Sequence, residues 1–583
     1  MKFLVSELSF LFQKKSTRTN LKRLILFSLV LVGVILLYTF LFQIISQLEG
    51  QEHSWISGLY WTLVTMSTLG FGDIVFTSDL GRLFSSVVLF SGVVFLLVML
   101  PFTFIQFFYA PWLEAQAQAR APKTLPYETK NHIILTRYNA VAVALIEKLK
   151  AFDYEYTLLI SDLNEALEVS DLGYDVVHGH VDDPQTWRNV RVDKAAMVVA
   201  NDNERVNTNV AFTVRELSES VPVVSFTSND EAVDILKLAG SDFVLNLSEM
   251  MGQALARRVV GGSARVHVIG RFQELVIAEA PALDTPLVGK TLAETKLREI
   301  TGVNIVGIWE RGGFNIAKAD SIVHEKSILV MVGTVESLRK YDELLGIYRA
   351  SDEAVVVIGG GRVGQSVGKA LAERKIPFRI IEKRPMPSAF KKLQVKGDAA
   401  DLTMLRQAGI EKAHTVIITP NQDDNNIYLT LYCRRLHPEL QIISRVKMDR
   451  NLGTLRRAGA DFTLSYSTMG ANAIFNYLQK GEMVMLDEGL NVFKMHMPQK
   501  MVGKKISDLD VRNTTGCTIV GIEKKDETLL NLDPAFVMDK NQKIILIGTL
   551  EAEKKFWKYY GEGKPTEVRR QFFLQRLKEP SRT

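Results

Sequence analysis

Two long stretches without a charged side chain, Leu24 to Phe42 and Leu83 to Tyr109, constrain this 583-residue chain more than any other feature. At about 1.5 Å per residue the first spans roughly 30 Å of hydrocarbon, so each reads as a membrane-crossing helix that satisfies its own backbone. Pro101 lies inside the second stretch and predicts a kink, or an exit from the membrane, in its last turns. The first stretch is too long for the apolar core of a signal peptide and lacks a small-residue cleavage site, so it is expected to remain in the chain. Lys14, Lys15, Arg18, Lys22 and Arg23 precede it, whereas Arg82 alone lies in the connecting loop. That asymmetry predicts a multi-pass protein of the cell (inner) membrane with both termini cytoplasmic.

The remainder has the composition of globular domains. Cys433 and Cys517 are the only cysteines, so no disulfide framework is implied. The formal net charge of +5 is small for this length, and acidic residues are dispersed among basic ones, which argues against a nucleic-acid partner. The basic tail after Lys554 reads as a solvated helix.

The soluble part repeats itself. LVGKTL at Leu287 to Leu292 and TGVNIVGI at Thr301 to Ile308 recur at one constant separation as MVGKKI at Met501 to Ile506 and TGCTIVGI at Thr515 to Ile522. A tandem duplication follows, with copies at about 131–345 and 352–562. In the first half of each copy short β-branched runs alternate with amphipathic helical stretches, for example Ala354 to Ile358, Gly364 to Ala372, Phe378 to Ile381 and Thr415 to Ile418. This pattern predicts a Rossmann-like, doubly wound parallel sheet, at about 131–262 and 352–482. The second halves, 263–345 and 483–562, with strands at Ile305 to Trp309, Ile328 to Val332, Ile519 to Glu523 and Ile544 to Ile547, read as small α+β lobes. The expected organisation is a cytoplasmic segment at 1–23, a helical two-crossing module at 24–112, a linker at 113–130, the two copies, and a tail at 563–583.

MSTLGFGD, Met66 to Asp73, lies between the two crossings. Gly70 and Gly72 admit φ values that a side chain disfavours, so Thr68, Leu69, Gly70, Phe71 and Gly72 can extend with carbonyls facing one axis. Four chains arranged in this way form rings of oxygens that replace the hydration shell of a cation. Trp55 to Ser67 reads as a helix whose C-terminal end aims partial negative charge at the same axis, with Tyr60 and Trp61 placed to buttress it. In this setting Thr-Leu-Gly-Phe-Gly-Asp resembles the potassium channel signature. The resemblance implies K+ in the filter and a homotetramer embedded in membrane lipid. Leu69 and Phe71 depart from the commonest Val and Tyr. Neither affects the carbonyls, but Phe71 lacks the hydroxyl that in the family bonds to pore-helix aromatics, so filter rigidity is expected to differ. Gly92 is read as either a hinge or a close-packing glycine, and Leu96, Leu97, Leu100 and Phe104 as candidates to narrow the inner mouth. No arginine-bearing voltage-sensing helix accompanies these two crossings.

The second copy carries a strand leading into Gly359, Gly361 and Gly364 in GxGxxG spacing, then a helix, with Glu382 closing the next strand. Gly359 suits the tight turn, Gly361 the approach of a pyrophosphate to the helix N-terminus, Gly364 helix-on-strand packing, and Glu382 a ribose hydroxyl, with Arg362, Val363 and Lys383 beside them. With Gly397-Asp398 and Thr419 at later strand ends, both copies resemble the RCK or KTN domains that regulate potassium conductance. By that resemblance Asp398 lies near an adenosine and Arg445 near phosphates, and the ligands are adenine nucleotides, NAD or ADP, with Ca2+ a further candidate. Eight such domains from four chains then complete a ring below the pore with no obligatory separate subunit, and nucleotide binding would gate the pore.

In the first copy Thr136, Tyr138 and Val141 are read as standing at the three glycine positions, with Arg137 between, Ser161 at the place of Glu382 with Asp162 next to it, and His180 at that of Asp398. A mainly structural role is expected for this copy. His178, His180, Asp182, Asp183, Asp423 and Asp424 are candidate metal ligands, although the favoured reading of each group is a solvated loop. Two rival functions remain. A nucleotide-binding subunit of a potassium uptake system would lack the pore segment, and a membrane-anchored NAD-dependent oxidoreductase would need a hydride-transfer constellation that no spacing here suggests. No enzymatic activity is expected.

Overall fold

The computed structural model describes residues 15–109, 113, 121–259, 262–263, 266–310, 313–346, 349–350, 354–479, 483–486, 489–524, 527–530 and 532–561. The expected N-terminal segment up to residue 14, most of the linker before residue 121 and the basic tail lie outside the described residues. Two compact units emerge, Met1–Pro122 with Leu163–Glu168, and Lys123–Asp162 with Val169–Thr583.

The first unit is helical. Helix α1 spans Lys15–Leu48, α2 Trp55–Met66 and α3 Asp79–Gly92. Within them Ile25–Leu48, and Asp79–Thr103 including the turns after α3, are long and apolar enough to cross a bilayer. Helical structure continues through Pro101 to Tyr109. The helix widens to π-helix over Val93–Met99, passes through a short α-helical stretch at Leu100–Phe104, and widens again over Ile105–Tyr109. At the first change the Leu100 N–H donates to the Phe95 carbonyl, five residues back. The wider turns bracket the position where proline has no N–H to give.

Phe42, Trp61, Met66, Phe76, Phe84 and Val88 form the core of this unit. Trp61 of α2 stacks on Phe84 of α3 at 5.6 Å, so van der Waals packing of aromatic side chains joins the helices. Gly92 is a close-packing glycine, because a Cβ there would lie 2.3 Å from the Met66 backbone. The close-packing half of the reading of Gly92 therefore has a contact behind it, between α2 and the end of α3.

In the second unit strands β1 (Ile133–Leu135), β2 (Tyr156–Ile160), β3 (Val176–His178), β4 (Met197–Ala200), β5 (Val223–Thr227) and β6 (Phe243–Asn246) form a parallel sheet in the order β3-β2-β1-β4-β5-β6. The strands read as continuous apolar runs because helices such as α4 (Ala140–Ala151) and α5 (Glu204–Leu217) cover the sheet. After α6 (Leu247–Arg257) an antiparallel sheet follows, built from β7 (His267–Phe272), β8 (Leu275–Pro281), β9 (Asn304–Glu310), β10 (Gly313–Ile316) and β11 (Ile328–Gly333), in the order β10-β9-β11-β8-β7.

The pattern then repeats. Strand β12 (Val355–Ile358), α7 (Arg362–Glu373), β13 (Phe378–Glu382), β14 (Gln394–Lys396), β15 (Thr415–Ile418), α8 (Asp423–Leu436), β16 (Gln441–Val446) and β17 (Phe462–Ser465) give a second parallel sheet, β14-β13-β12-β15-β16-β17. Helix α9 (Tyr466–Gln479) leads to β18 (Met483–Met485), β19 (Leu490–His496), β20 (Thr518–Lys524), β21 (Glu527–Leu530) and β22 (Lys543–Thr549), antiparallel in the order β18-β19-β22-β20-β21.

The two copies exchange helices. Helix α6 of the first packs on α7 of the second at Gly252, where a Cβ would meet Ser366 Cβ at 2.4 Å. Reciprocally, α9 of the second reaches the first copy through Gly470, whose Cβ would lie 2.8 Å from Val141 and 2.9 Å from Leu247. One apolar core joins Met251 and Leu255 to Val363, Val367, Met469 and Val492. Between the antiparallel lobes Arg298 donates to the Leu532 carbonyl at 2.7 Å and Arg512 to the Ala317 carbonyl at 3.0 Å. The copies therefore fold as one body.

Candidate functional site

Helix α2 is capped at its N-terminus by Ser54, whose hydroxyl accepts from the Ser57 N–H. At its other end the Val64 carbonyl accepts from the Leu69 N–H at 3.0 Å and the Thr65 carbonyl from the Thr68 N–H at 3.1 Å, which ties the following segment to the helix. Thr68, Gly70 and Gly72 have φ of 62°, 54° and 76°, whereas Leu69 and Phe71 do not enter the positive-φ region. Alternating handedness turns successive carbonyls to the same side of an extended strand, the arrangement a cation pathway needs. Thr68 adopts positive φ with a β-branched side chain, a strained state that its tether to α2 maintains. Leu69 and Phe71 are 63% and 66% exposed in the single chain.

Trp61 donates to the Ile74 carbonyl at 3.2 Å, so this aromatic buttresses the segment that follows Gly72, while Tyr60 precedes it on α2. Farther down, Leu97 is exposed while Leu96 packs on the core, so the two differ as candidates to narrow the mouth. Leu100 lies on the short α-helical stretch after them, as does Phe104.

A second site forms at the start of α7. Its N-cap is Gly361, which brings no capping side chain and has open space where a Cβ would stand. The helix therefore presents uncapped N–H groups, a ready anion site. Gly359 has φ of 94°, and a Cβ on Gly364 would lie 1.9 Å from the Gly359 carbonyl oxygen, so these two glycines are structural necessities of the turn. Gly360 admits Glu382 across the loop, because a Cβ there would meet the Glu382 side chain at 2.9 Å and Met386 Sδ at 2.7 Å. The Glu382 carboxylate accepts from the Gly360 N–H at 2.7 Å and the Arg384 N–H at 3.0 Å.

Lys383 pairs with Asp398 at 2.8 Å, and this hydrogen bond holds the Asp398 carboxyl below its ordinary range. Thr419 donates to the Ile358 and Gly359 carbonyls. Arg445 is buried, donates to Asn421 Oδ1 at 2.9 Å and lies 4.7 Å over the Tyr466 ring; burial lowers its pKa. Arg362 is exposed on the first turn of α7 and Val363 is buried beneath it. The structure thus brings Gly359, Gly361, Gly364, Glu382, Thr419 and Arg445 to one end of the sheet, with Lys383 and Asp398 along its edge.

The first copy departs from expectation in register. The N-caps align Asn139, not Tyr138, with Gly361, and Ala142 rather than Val141 follows at the Gly364 place. Thr136 correspondingly stands opposite Ile358, and Arg137 opposite Gly359. The Asn139 side chain accepts from the Ala142 N–H at 2.9 Å and donates to the Asn201 carbonyl, so it fills the position an anion would take. Thr136 bonds to Val199 and Asn201, and Arg137 pairs with Asp202 at 2.8 Å. Tyr138 packs against Tyr174 instead of crowding the helix end. Strand pairing puts Ile160 at the Glu382 position, because Ile160 faces His178 as Glu382 faces Lys396. Ser161 lies one residue beyond and donates to the Gly179 carbonyl, and Asp162 follows on the surface.

The candidate metal ligands do not converge. Among the described residues no group of three His, Cys, Asp or Glu side chains is close enough to hold an ion. The His178 and His180 rings are 6.3 Å apart, Asp183 caps a helix by accepting from the Gln185 N–H, and Asp423 accepts from the Lys447 and Met448 N–H groups and from Asn451. Asp182 and Asp424 are exposed. The sequence reading missed Asn139, although a polar residue just before a helix signals an N-cap. It also missed Gly360, despite the run of three glycines, and Asn421 and Tyr466, which carry no local signal.

Fold and filter together define a class, ion channels whose two crossings bracket a carbonyl-lined segment and whose soluble part is a regulatory tandem. The ion channel family matches residues 25–109, the TrkA-N domain matches 133–247 and 355–466, and the TrkA-C domain matches 275–346 and 492–561. Probable potassium channel protein 2 of Methanocaldococcus jannaschii is 26% identical over 245 residues, 38% of this chain and 71% of that one. Potassium channel protein 1 of the same organism is 27% identical over 218 residues, 35% of this chain and 66% of that one. The solved structure of the GsuK channel bound to NAD is 36% identical, with a TM-score of 0.58, and covers 93% of this chain and 99% of that one. The chain belongs to the two-transmembrane potassium channels with tandem RCK domains, the family of the GsuK channel. It is a membrane protein and a potassium channel.

Proposed function

We propose that four copies of this chain form a potassium-selective pore lined by Thr68, Leu69, Gly70, Phe71 and Gly72, gated by an adenine nucleotide at the second RCK domain. The reading rests above all on one contrast. Helix α7 offers an uncapped N-terminus behind Gly361, whereas the matching helix of the first copy is capped by its own Asn139. NAD or ADP fits the open site, with pyrophosphate on α7, a ribose at Glu382, the adenosine toward Asp398 and Arg445 beside the phosphates. The GsuK channel has been solved with NAD bound. The first RCK domain is a structural partner whose α6 braces α7.

The filter carbonyls of one chain line one side of an axis, and the exposed Leu69 and Phe71 call for neighbours, which supports a homotetramer in lipid with eight RCK domains in a ring. The assignment of 24–112 to the pore module, 113–130 to the linker, 131–345 and 352–562 to the RCK domains, and both termini to the cytoplasm completes the reading. The pore on the same chain argues against a separate uptake subunit, and a permeation pathway with no hydride-transfer constellation argues against an oxidoreductase. Asp183 and Asp423 are occupied within their own loops, so calcium control through them is not proposed.

The test is potassium flux from purified protein in liposomes, with and without NAD or ADP. Potassium-selective flux that changes with nucleotide is expected. Absence of such flux under every ligand condition overturns the pore assignment, and flux indifferent to both nucleotides overturns the gating.

A further inference from the structure

The two ends of α7 belong to different surroundings. At its N-terminus the uncapped N–H groups behind Gly361 face the glycine turn of the second copy. At its C-terminus the capping residue, Arg374, reaches into the first copy, where its guanidinium donates to the Ala256 carbonyl in the last turn of α6 and lies 3.2 Å from His267 Nε2 on β7. A guanidinium has no acceptor, so the ring nitrogen accepts and His267 is neutral in this contact. Glu279, which faces His267 from β8, is shared by Arg257 at 4.0 Å and Arg258 at 3.9 Å. Arg374 is thereby held by two neutral acceptors, one on the exchanged helix and one on the first antiparallel lobe. Charge-assisted bonds of this kind fix position as well as energy.

Between these ends α7 is an unbroken helix of 12 residues, a rod of roughly 18 Å. Its Ser366 lies so close to Gly252 of α6 that a Cβ there would meet it at 2.4 Å. The first copy is built differently at the equivalent places. The C-cap of α4 is Phe152, whose ring lies 4.7 Å from that of Phe475, a residue as far into α9 as Ala256 is into α6. Tyr154 meets the same ring at 6.2 Å. Apolar contact is non-directional, and the N-terminus of α4 is closed by Asn139. The open helix end and the directional tie to the other copy thus occur together, on α7.

We propose that Arg374 is a positioning residue that passes nucleotide occupancy at the N-terminus of α7 to the first RCK domain, through the end of α6 and through His267. The proposal rests on the nucleotide reading above. A phosphate drawn onto the N-terminus of α7 shifts the rod, and Arg374 moves the end of α6 and the β7 edge of the first antiparallel lobe with it. This coupling acts only if nucleotide binds two arrangements of the tandem with different affinity.

The full-length channel tests this through NAD affinity by calorimetry, liposome potassium flux with and without NAD, and thermal unfolding. In Arg374→Gln and in His267→Leu the affinity is expected to stay within about threefold of wild type while the NAD-dependent change in flux falls by about fivefold or more. The double variant should lose no more than Arg374→Gln alone, because the arginine change already removes the bond to His267. Phe152→Leu, at the equivalent place in the first copy, should keep the wild-type change in flux. A wild-type change in flux in a folded Arg374→Gln or His267→Leu channel overturns the proposal, as do additive losses in the double variant or an equal loss in Phe152→Leu. Should thermal unfolding show Arg374→Gln to be unstable, His267→Leu decides by the same criterion. A wild-type channel that binds no NAD overturns the nucleotide reading itself, and the coupling with it.

Discussion

Gly361 and Gly364 lie three residues apart in the same turn, yet the structure gives them opposite consequences on substitution. A Cβ at Gly361 has no neighbour within 4 Å, and its φ of −66° suits any residue. Gly361→Ala therefore gains about 0.4–1 kcal/mol from a stiffer unfolded chain and loses a few tenths to about 1 kcal/mol because alanine is a poorer N-cap, leaving stability nearly unchanged. The same methyl stands where a pyrophosphate would approach the helix, so NAD and ADP affinity should fall at least about tenfold, or about 1.4 kcal/mol. At Gly364 the Cβ would lie 1.9 Å from the Gly359 carbonyl oxygen, a backbone atom that cannot rotate away. Gly364→Ala should cost about 1–3 kcal/mol of stability and lower the unfolding temperature. Calorimetric titration with each nucleotide and thermal unfolding of the purified channel separate the two effects. Wild-type affinity in a stable Gly361→Ala protein would refute the placement of the pyrophosphate. A Gly364→Ala protein as stable as wild type would refute the packing argument.

Asn139→Ala removes the cap of α4 and should destabilise the channel by about 1 kcal/mol without changing nucleotide affinity, as thermal unfolding and titration will show. His267 is driven to about 3 by burial and by the Arg374 and Arg257 charges, and its Nε2 lies 3.2 Å from Arg374. Its folded pKa is below the unfolded value near 6.5, so the stability it contributes is complete above pH 6.5 and is lost as pH falls toward 3, by about 1.4 kcal/mol per unit. His267→Asn should flatten the decline in stability between pH 7 and 5, and parallel curves would contradict this. Gly92→Ala drives a methyl into the Met66 backbone and should lower the temperature at which detergent-solubilised channels lose their assembly.

Much of the architecture was legible because it rests on periodicity and repetition. The lengths of Leu24 to Phe42 and Leu83 to Tyr109 announced the crossings, and the β-branched runs of both copies announced the parallel sheets. The second-copy turn was readable because glycine spacing, strand and helix are local to one another. The first copy was not, because its register depends on which residue caps α4, and one residue of slip moved the reading from Asn139 to Tyr138. Gly92 was ambiguous for a similar reason, since a glycine in a helix shows its purpose only when Met66 is seen against it. The candidate metal ligands were neighbours in sequence, but Asp183 and Asp423 accept from their own backbone N–H groups and Asp182 and Asp424 are exposed.

By itself the sequence determined the class, since uncharged spans, a Thr-Leu-Gly-Phe-Gly-Asp loop and a duplicated Rossmann pattern are constraints that act within short stretches of chain. Tertiary structure alone decided which copy has an open helix end, that Gly92 lies against the Met66 backbone, and that the Arg445 guanidinium lies over the Tyr466 ring. These depend on contacts between elements distant in sequence, where helix packing and strand register, rather than local propensity, set which side chains share a site.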